Sequence, residues 1–167
     1  DSTNTCSYPV PVIDRESGRV VLFSTWSLGE DEFESIFIGE GKDTRRIFIF
    51  HSEDDGKSWT PPKEITQDIK LPEWDYYGIG TGSGMQIKSG KHKGRMLAAA
   101  YHSQFDGETI FHSHLIYSDD GGLNWKIGGI TPETGTSECE VAELSDGSLV
   151  LTMTVRSHRV KARSIAY

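Results

Sequence analysis

The sequence predicts an all-β protein assembled from repeated antiparallel units, and three features predict it. An octapeptide of the form S-x-D-x-G-x-x-W occurs twice, as Ser52-Glu-Asp54-Asp-Gly56-Lys-Ser-Trp59 and Ser118-Asp-Asp120-Gly-Gly122-Leu-Asn-Trp125. Each copy follows a β-rich run, Ile47-Phe-Ile-Phe50 and His114-Leu-Ile-Tyr117. Gly makes up 18 of the 167 residues and no segment sustains a 3.6-residue apolar period. The octapeptide has the chemistry of a tight hairpin turn. Its Asp carboxylate accepts bonds from turn amides, its Gly supplies a positive φ, and its Trp anchors the returning strand. Two copies in the same strand context make a repeated hairpin unit, and repetition on this scale points to a β-propeller.

The elements follow in order. Three segments share one grammar of apolar strand, short polar turn with Gly, and second apolar strand. They are Val10–Ile13 and Arg19–Phe23 across Asp14–Gly18, Met85–Ile87 and Arg95–Ala100 across Lys88–Gly94, and Cys139–Leu144 and Ser148–Met153 across Ser145–Gly147. In the first two units a further strand delivers the octapeptide. In the third, Arg163-Ser-Ile-Ala-Tyr167 begins that strand and the chain stops. Blade units are therefore expected at about residues 8–66, 83–131 and 138–167, the last incomplete. A blade without its neighbour leaves an edge and an apolar face open, so the chain reads as part of a larger propeller, completed by the same or another chain.

Composition removes several function classes. With 17 Lys and Arg against 25 Asp and Glu, the net charge of −8 disfavours nucleic acid, which wants a basic face. No run of 18 apolar residues is present, so no membrane span is expected. Cys6 and Cys139 fall on inner strands of non-adjacent blades, too far apart for a disulfide, and free thiols are expected.

Three stretches resemble the exo-sialidase (neuraminidase) family. Pro9-Val-Pro-Val-Ile-Asp14-Arg-Glu-Ser-Gly18 is similar to its N-P-x-P-V-V-D-R-x-T-G. Trp74-Asp-Tyr76-Tyr77-Gly-Ile-Gly80-Thr-Gly82-Ser-Gly84-Met-Gln86-Ile resembles its W-x-W-Y-x-x-G-P-G-x-G-I-Q-L. Ser137-Glu138-Cys-Glu140-Val-Ala-Glu143-Leu-Ser-Asp-Gly147-Ser-Leu resembles its N-E-x-Q-V-V-E-L-x-D-G-S-L. The order is right, and the octapeptides, the Asp boxes of that family, fall between these stretches where the family puts them. The resemblance implies a six-bladed sialidase propeller of which about two and a half blades are present. It also implies sialylated glycans as partners, a secreted or cell-surface setting, and no cofactor or metal.

Sialoside cleavage sets what such a site must hold. The anomeric carbon bears a carboxylate that repels an anionic nucleophile, and the family uses a neutral Tyr in its place. A Glu takes the Tyr proton, an Asp serves as acid/base, and three arginines clamp the sugar carboxylate. Mapped by resemblance, Glu138 matches the activating Glu, with Glu140 and Glu143 as second choices. Glu140 shares the face of Glu138 by period-two alternation. Arg156 matches a clamp arginine, although an ungapped count from Glu138 reaches Thr154, so a bulge or slip is needed. Tyr76, Tyr77 and Gln86, with the Gly80–Gly84 loop between, are expected to line the pocket. The Arg-Ile-Pro segment and the acid/base Asp would precede Asp1, and the last arginine and the Tyr nucleophile would follow Tyr167, so this chain alone should not catalyse. Two other functions stay open: a lectin of the same shape that binds glycans without cleaving them, and an Asp-box scaffold with no sugar site.

The remaining conspicuous residues read plainly. His112 and His114 sit two apart on a strand, but no third ligand accompanies them and metal binding is not expected. Ser52, Asp54, Gly56, Trp59, Ser118, Asp120, Gly122 and Trp125 are turn staples away from the chemistry, with both tryptophans packed between strands. The acidic run Glu30–Glu34 reads as a solvated loop between strands.

Overall fold

The computed structural model describes residues 3–156 and 162–167. The stretch 157–161, which continues the resemblance after Arg156, lies outside them. Strands β1 (Thr5–Ile13), β2 (Val20–Ser27), β3 (Arg46–Ser52) and β4 (Lys63–Glu64) form the first antiparallel sheet in that order, with helix α1 (Phe33–Phe37) between β2 and β3 and helix α2 (Thr66–Ile69) after β4. In the second sheet, β5 (Tyr77–Ile79) and β6 (Met85–Gln86) share the inner position against β7 (Met96–Phe105), followed by β8 (Thr109–Ser118) and β9 (Lys126–Thr134). The third sheet holds β10 (Thr136–Glu143), β11 (Leu149–Val155) and β12 (Arg163–Ala166). Sequential meanders of this kind, stacked face to face, are the blades of a propeller.

Two seams hold the sheets together. In the first, Val10, Val12, Val21, Phe23, Ile47 and Ile49 meet Ile79, Met96, Ala98, Ala100, Ile116 and Trp125. In the second, Leu97 and Ala99 meet Cys139, Val141, Leu151 and Met153. Strand β7 faces both seams, which is why Met96-Leu-Ala-Ala-Ala-Tyr101 reads as a continuous apolar run rather than an alternation. Cys6 is exposed and Cys139 buried, and both are free thiols. Burial in the second seam pushes the Cys139 thiol up to about 12.

The two octapeptides adopt one geometry. Ser52 Oγ donates to Asp54 Oδ1 at 2.9 Å, Gly56 N donates to Ser52 Oγ at 2.8 Å, and Trp59 Nε1 donates to Gly56 O at 3.0 Å. The second copy repeats this with Ser118, Asp120, Gly122 and Trp125 at 2.8, 2.9 and 3.0 Å. The glycines carry φ of +81° and +85°, which a side chain resists. The turn chemistry is the one the sequence predicts; one part differs. Trp125 is 2% exposed, edge-on to Phe23 with ring centroids 4.7 Å apart, whereas Trp59 is 39% exposed. The second box docks on the first sheet, and among the described residues no sheet stacks on the corresponding side of the first box.

The acidic run is also not simply a solvated loop. Residues Phe33–Phe37 form α1, which buries Ile36 and sets Phe37 among Tyr76 and Phe111. Phe33, Ile36 and Phe37 have the i, i+3, i+4 spacing of an apolar helix stripe, and that spacing is the signal in the sequence.

Candidate active site

All three inner strands lose regular pairing. In β1 the register shifts between Ser7 and Val10, leaving Tyr8 at φ +54°, a left-handed conformation that non-glycine residues avoid. In the second blade the inner strand breaks between β5 and β6. In β10 the register shifts between Ser137 and Cys139, so Glu138 is the unpaired residue of a bulge. Bulges re-aim side chains and cluster beside functional sites. The Glu138 bulge also overturns the period-two link between Glu138 and Glu140, because one extra residue separates the two halves of the strand. Half-buried Glu138 carries no hydrogen bond or ion pair to another described residue.

Arg156 stands on the neighbouring strand at the same end. Its main-chain N donates to Gly135 O at 2.7 Å, next to the Thr136–Val155 pair that opens the sheet. Its exposed guanidinium lies 4.1 Å from the Phe111 ring centre and 5.5 Å from that of Phe37, with no carboxylate paired to it among the described residues. Phe37 in turn meets Phe111 at 5.3 Å and Tyr76 at 4.7 Å. The sequence did not single out Phe37 or Phe111; only the long-range pairing of three segments brings them under Arg156.

Several expected pocket residues lie elsewhere. Tyr77 is fully buried on the face opposite Tyr76, as strand alternation requires, and bonds His114 Nε2 at 3.0 Å in the first seam. Tyr76 is 3% exposed, and its hydroxyl accepts a bond from Arg45 behind the aromatic cluster. Gln86 sits at the far end of its inner strand, where Nε2 donates to Asp14 Oδ1 at 2.7 Å and to Gly94 O at 2.8 Å, and Oε1 accepts from Arg15 N at 2.8 Å. These bonds clasp two hairpin turns and leave the amide committed away from the Glu138 end. Glu143 is at that far end too, bonded to Lys88 N at 2.7 Å and to Ser89 Oγ at 2.7 Å. The Gly80–Gly84 loop is packed between blades: a Cβ on Gly84 would lie 2.4 Å from Val12, and one on Gly82 would lie 2.7 Å from Glu140 Oε1.

A model of the BNR repeat-like domain matches residues 1–166. The chain belongs to the BNR repeat-like domain family. Mouse Sialidase-4 is 33% identical over 153 residues, which are 85% of this chain and 31% of that relative. Human Sialidase-3 is 32% identical over 173 residues, 95% of this chain and 39% of that relative. The Hadza microbial sialidase Hz136 superposes with a TM-score of 0.81 at 27% identity, covering 98% of this chain and 31% of that structure. This BNR repeat-like domain therefore spans about a third of the length of the curated relatives it matches, and its sheets are part of a sialidase-type propeller.

Behind the aromatic cluster the BNR repeat-like domain buries a neutral histidine pair. His102 Nδ1 and His114 Nδ1 are 3.1 Å apart, and Trp74 stacks on His102 with ring centres 3.6 Å apart. Burial holds Tyr77 protonated, so its O–H donates to His114 Nε2, and His114 Nδ1–H is left to donate to His102 Nδ1. Burial, with repulsion from His112 and Lys70, pulls His102 down to about 3. Burial first, then His102 and His112, pulls His114 well below its ordinary value. Among the described residues no set of three acidic, His or Cys ligands is placed to hold a metal. Unfolding frees both imidazoles to protonate near pH 6.5, so the stability they contribute is full above that value and falls as the pH drops toward the folded ones. The expected result is a loss approaching about 2.7 kcal/mol per pH unit for the pair, read from urea unfolding between pH 6.5 and 5, above the carboxylate range. His102→Phe, which keeps the Trp74 stack, should halve that slope.

Proposed function

We propose that the full-length protein is an exo-α-sialidase that hydrolyses terminal sialic acids from glycoconjugates with retention, through a Tyr nucleophile outside this chain. Glu138 takes the proton of that Tyr, and Arg156 holds the sugar carboxylate. The observation that carries the reading is Arg156: an exposed guanidinium on an aromatic shelf, unpaired by any described carboxylate, at the same end of the β10–β11 pair as the Glu138 bulge. A guanidinium so placed matches the planar anion of a sialoside. The similarity to sialidases over most of the chain supports the same substrate class. Sialylated glycans face the outside of cells, and a secreted or cell-surface setting follows. Among the described residues no helix is long and apolar enough to cross a membrane.

Release of the fluorophore from a fluorogenic sialoside by the full-length protein tests this directly. Sialoside binding without turnover would make the protein a lectin. Arg156→Ala should lower kcat/KM by roughly 10- to 150-fold, the value of one charged hydrogen-bonding partner. Arg156→Lys should recover only part of it, since an ammonium lacks the fork.

A further inference from the structure

Arg45 is fully buried, yet no carboxylate pairs with it among the described residues. A buried charge without a counter-charge is expensive, and its environment must offset the lost hydration. Here the offset comes from neutral groups. Nε donates to Ser27 Oγ at 3.1 Å, one terminal nitrogen donates to the Tyr76 hydroxyl, and the other donates to Ser7 Oγ at 3.4 Å. The guanidinium carbon lies 4.8 Å from the Tyr76 ring centre, 5.0 Å from that of Tyr8 and 5.7 Å from that of Phe33. Cation–π contacts of this kind strengthen when desolvated.

The groups around Arg45 come from separate segments of the chain. Ser7 and Tyr8 belong to the irregular stretch of β1, Phe33 to α1, and Tyr76 leads into β5. Phe33 and Phe37 are four residues apart on α1 and so share one side of it. Phe33 rests on Arg45, and Phe37 supports Arg156. The contacts run without a gap from Arg45 to Tyr76, from Tyr76 to Phe37 at 4.7 Å, and from Phe37 to Phe111 and Arg156. One aromatic cluster thus carries a buried arginine on its inner side and an exposed one on its outer side.

We propose that Arg45 is a positioning residue: through Tyr76 it fixes the ring shelf on which the Arg156 guanidinium rests. Exposed Arg156 has no carboxylate partner among the described residues, so the rings beneath it set where its fork points. Those rings have edges but no hydrogen bonds of their own, except at the Tyr76 hydroxyl, which accepts from Arg45 and lies 3.5 Å from the Tyr101 hydroxyl. The functional weight of this device rests on the role proposed for Arg156 above; the geometric claim does not.

The test uses the full-length protein labelled with 15N-arginine. Phe111, 4.1 Å from the guanidinium, should shift the Arg156 Hε resonance away from its free-arginine position by its ring current. Arg45→Met keeps an unbranched side chain but removes the charge and the donors, and it should move that resonance toward the free position. Tyr76→Phe deletes only the hydroxyl and keeps the ring, which guards against a failure of the first variant to fold, and it should move the resonance in the same direction. An Arg156 signal unmoved in the folded variants overturns the proposal. In a functional sialidase, Arg45→Met should raise KM for the fluorogenic sialoside roughly 3- to 10-fold, and it should do nothing further in an Arg156→Ala background. A resonance that moves while KM stays fixed upholds the positioning of Arg156 and removes its assignment as the carboxylate clamp.

Discussion

Glu138→Gln in the full-length protein is expected to lower kcat on a fluorogenic sialoside by about 100- to 10,000-fold, the range of a positioned general base, with the unfolding midpoint unchanged. The amide keeps the size of the side chain but cannot accept a proton. Folding should be indifferent because the Glu138 carboxylate has no partner among the described residues to lose. Glu140→Gln should cost far less. Glu140 is exposed and packs against the Gly82 backbone in the seam between blades, on the regular side of the bulge. Activity that survives in Glu138→Gln and collapses in Glu140→Gln would place the base two residues further on and remove the argument from the bulge.

Trp125→Ala should destabilise the fold by about 3–5 kcal/mol, the usual cost of emptying a large aromatic site in a core. Trp125 is 2% exposed and meets Phe23 across the first seam. Gly122, whose carbonyl accepts the indole N–H, stands so close to Val21 that a Cβ there would lie 2.4 Å from Val21 Cγ2. Trp125→Phe keeps most of the apolar burial and loses the 3.0 Å indole bond. It should cost about 1–2 kcal/mol beyond the change in volume, as for one buried hydrogen bond left unmade. Urea midpoints of the two variants separate seam packing from turn stapling. Equal losses would mean that the indole bond, and not the burial, holds the box.

What the sequence revealed is what local chemistry determines. Asp54 and Asp120 announce their turns because Ser, Asp, Gly and Trp satisfy one another within eight residues. The hairpins of β1–β2 and β10–β11 were legible for the same reason. Glu138 and Arg156 could be named only by resemblance, and their placement at one end of one hairpin is a matter of register that a bulge alters. The face of Tyr77 turns on a single-residue parity, and the place of Gln86 on which end of its strand it occupies. Arg45 carried no signal at all: an arginine before a strand is ordinary until Ser7, Ser27 and Tyr76 close around it from three distant segments.

The irregular pairing lies apart from the seams. Beyond their bulges, β1 keeps continuous register from Val10 to Ile13 and β10 from Cys139 to Glu143, and these stretches carry the seams. A residue gained or lost at Tyr8 or Glu138 is absorbed where pairing is already interrupted. A change of length at that end therefore leaves the pairing that carries the seams in register.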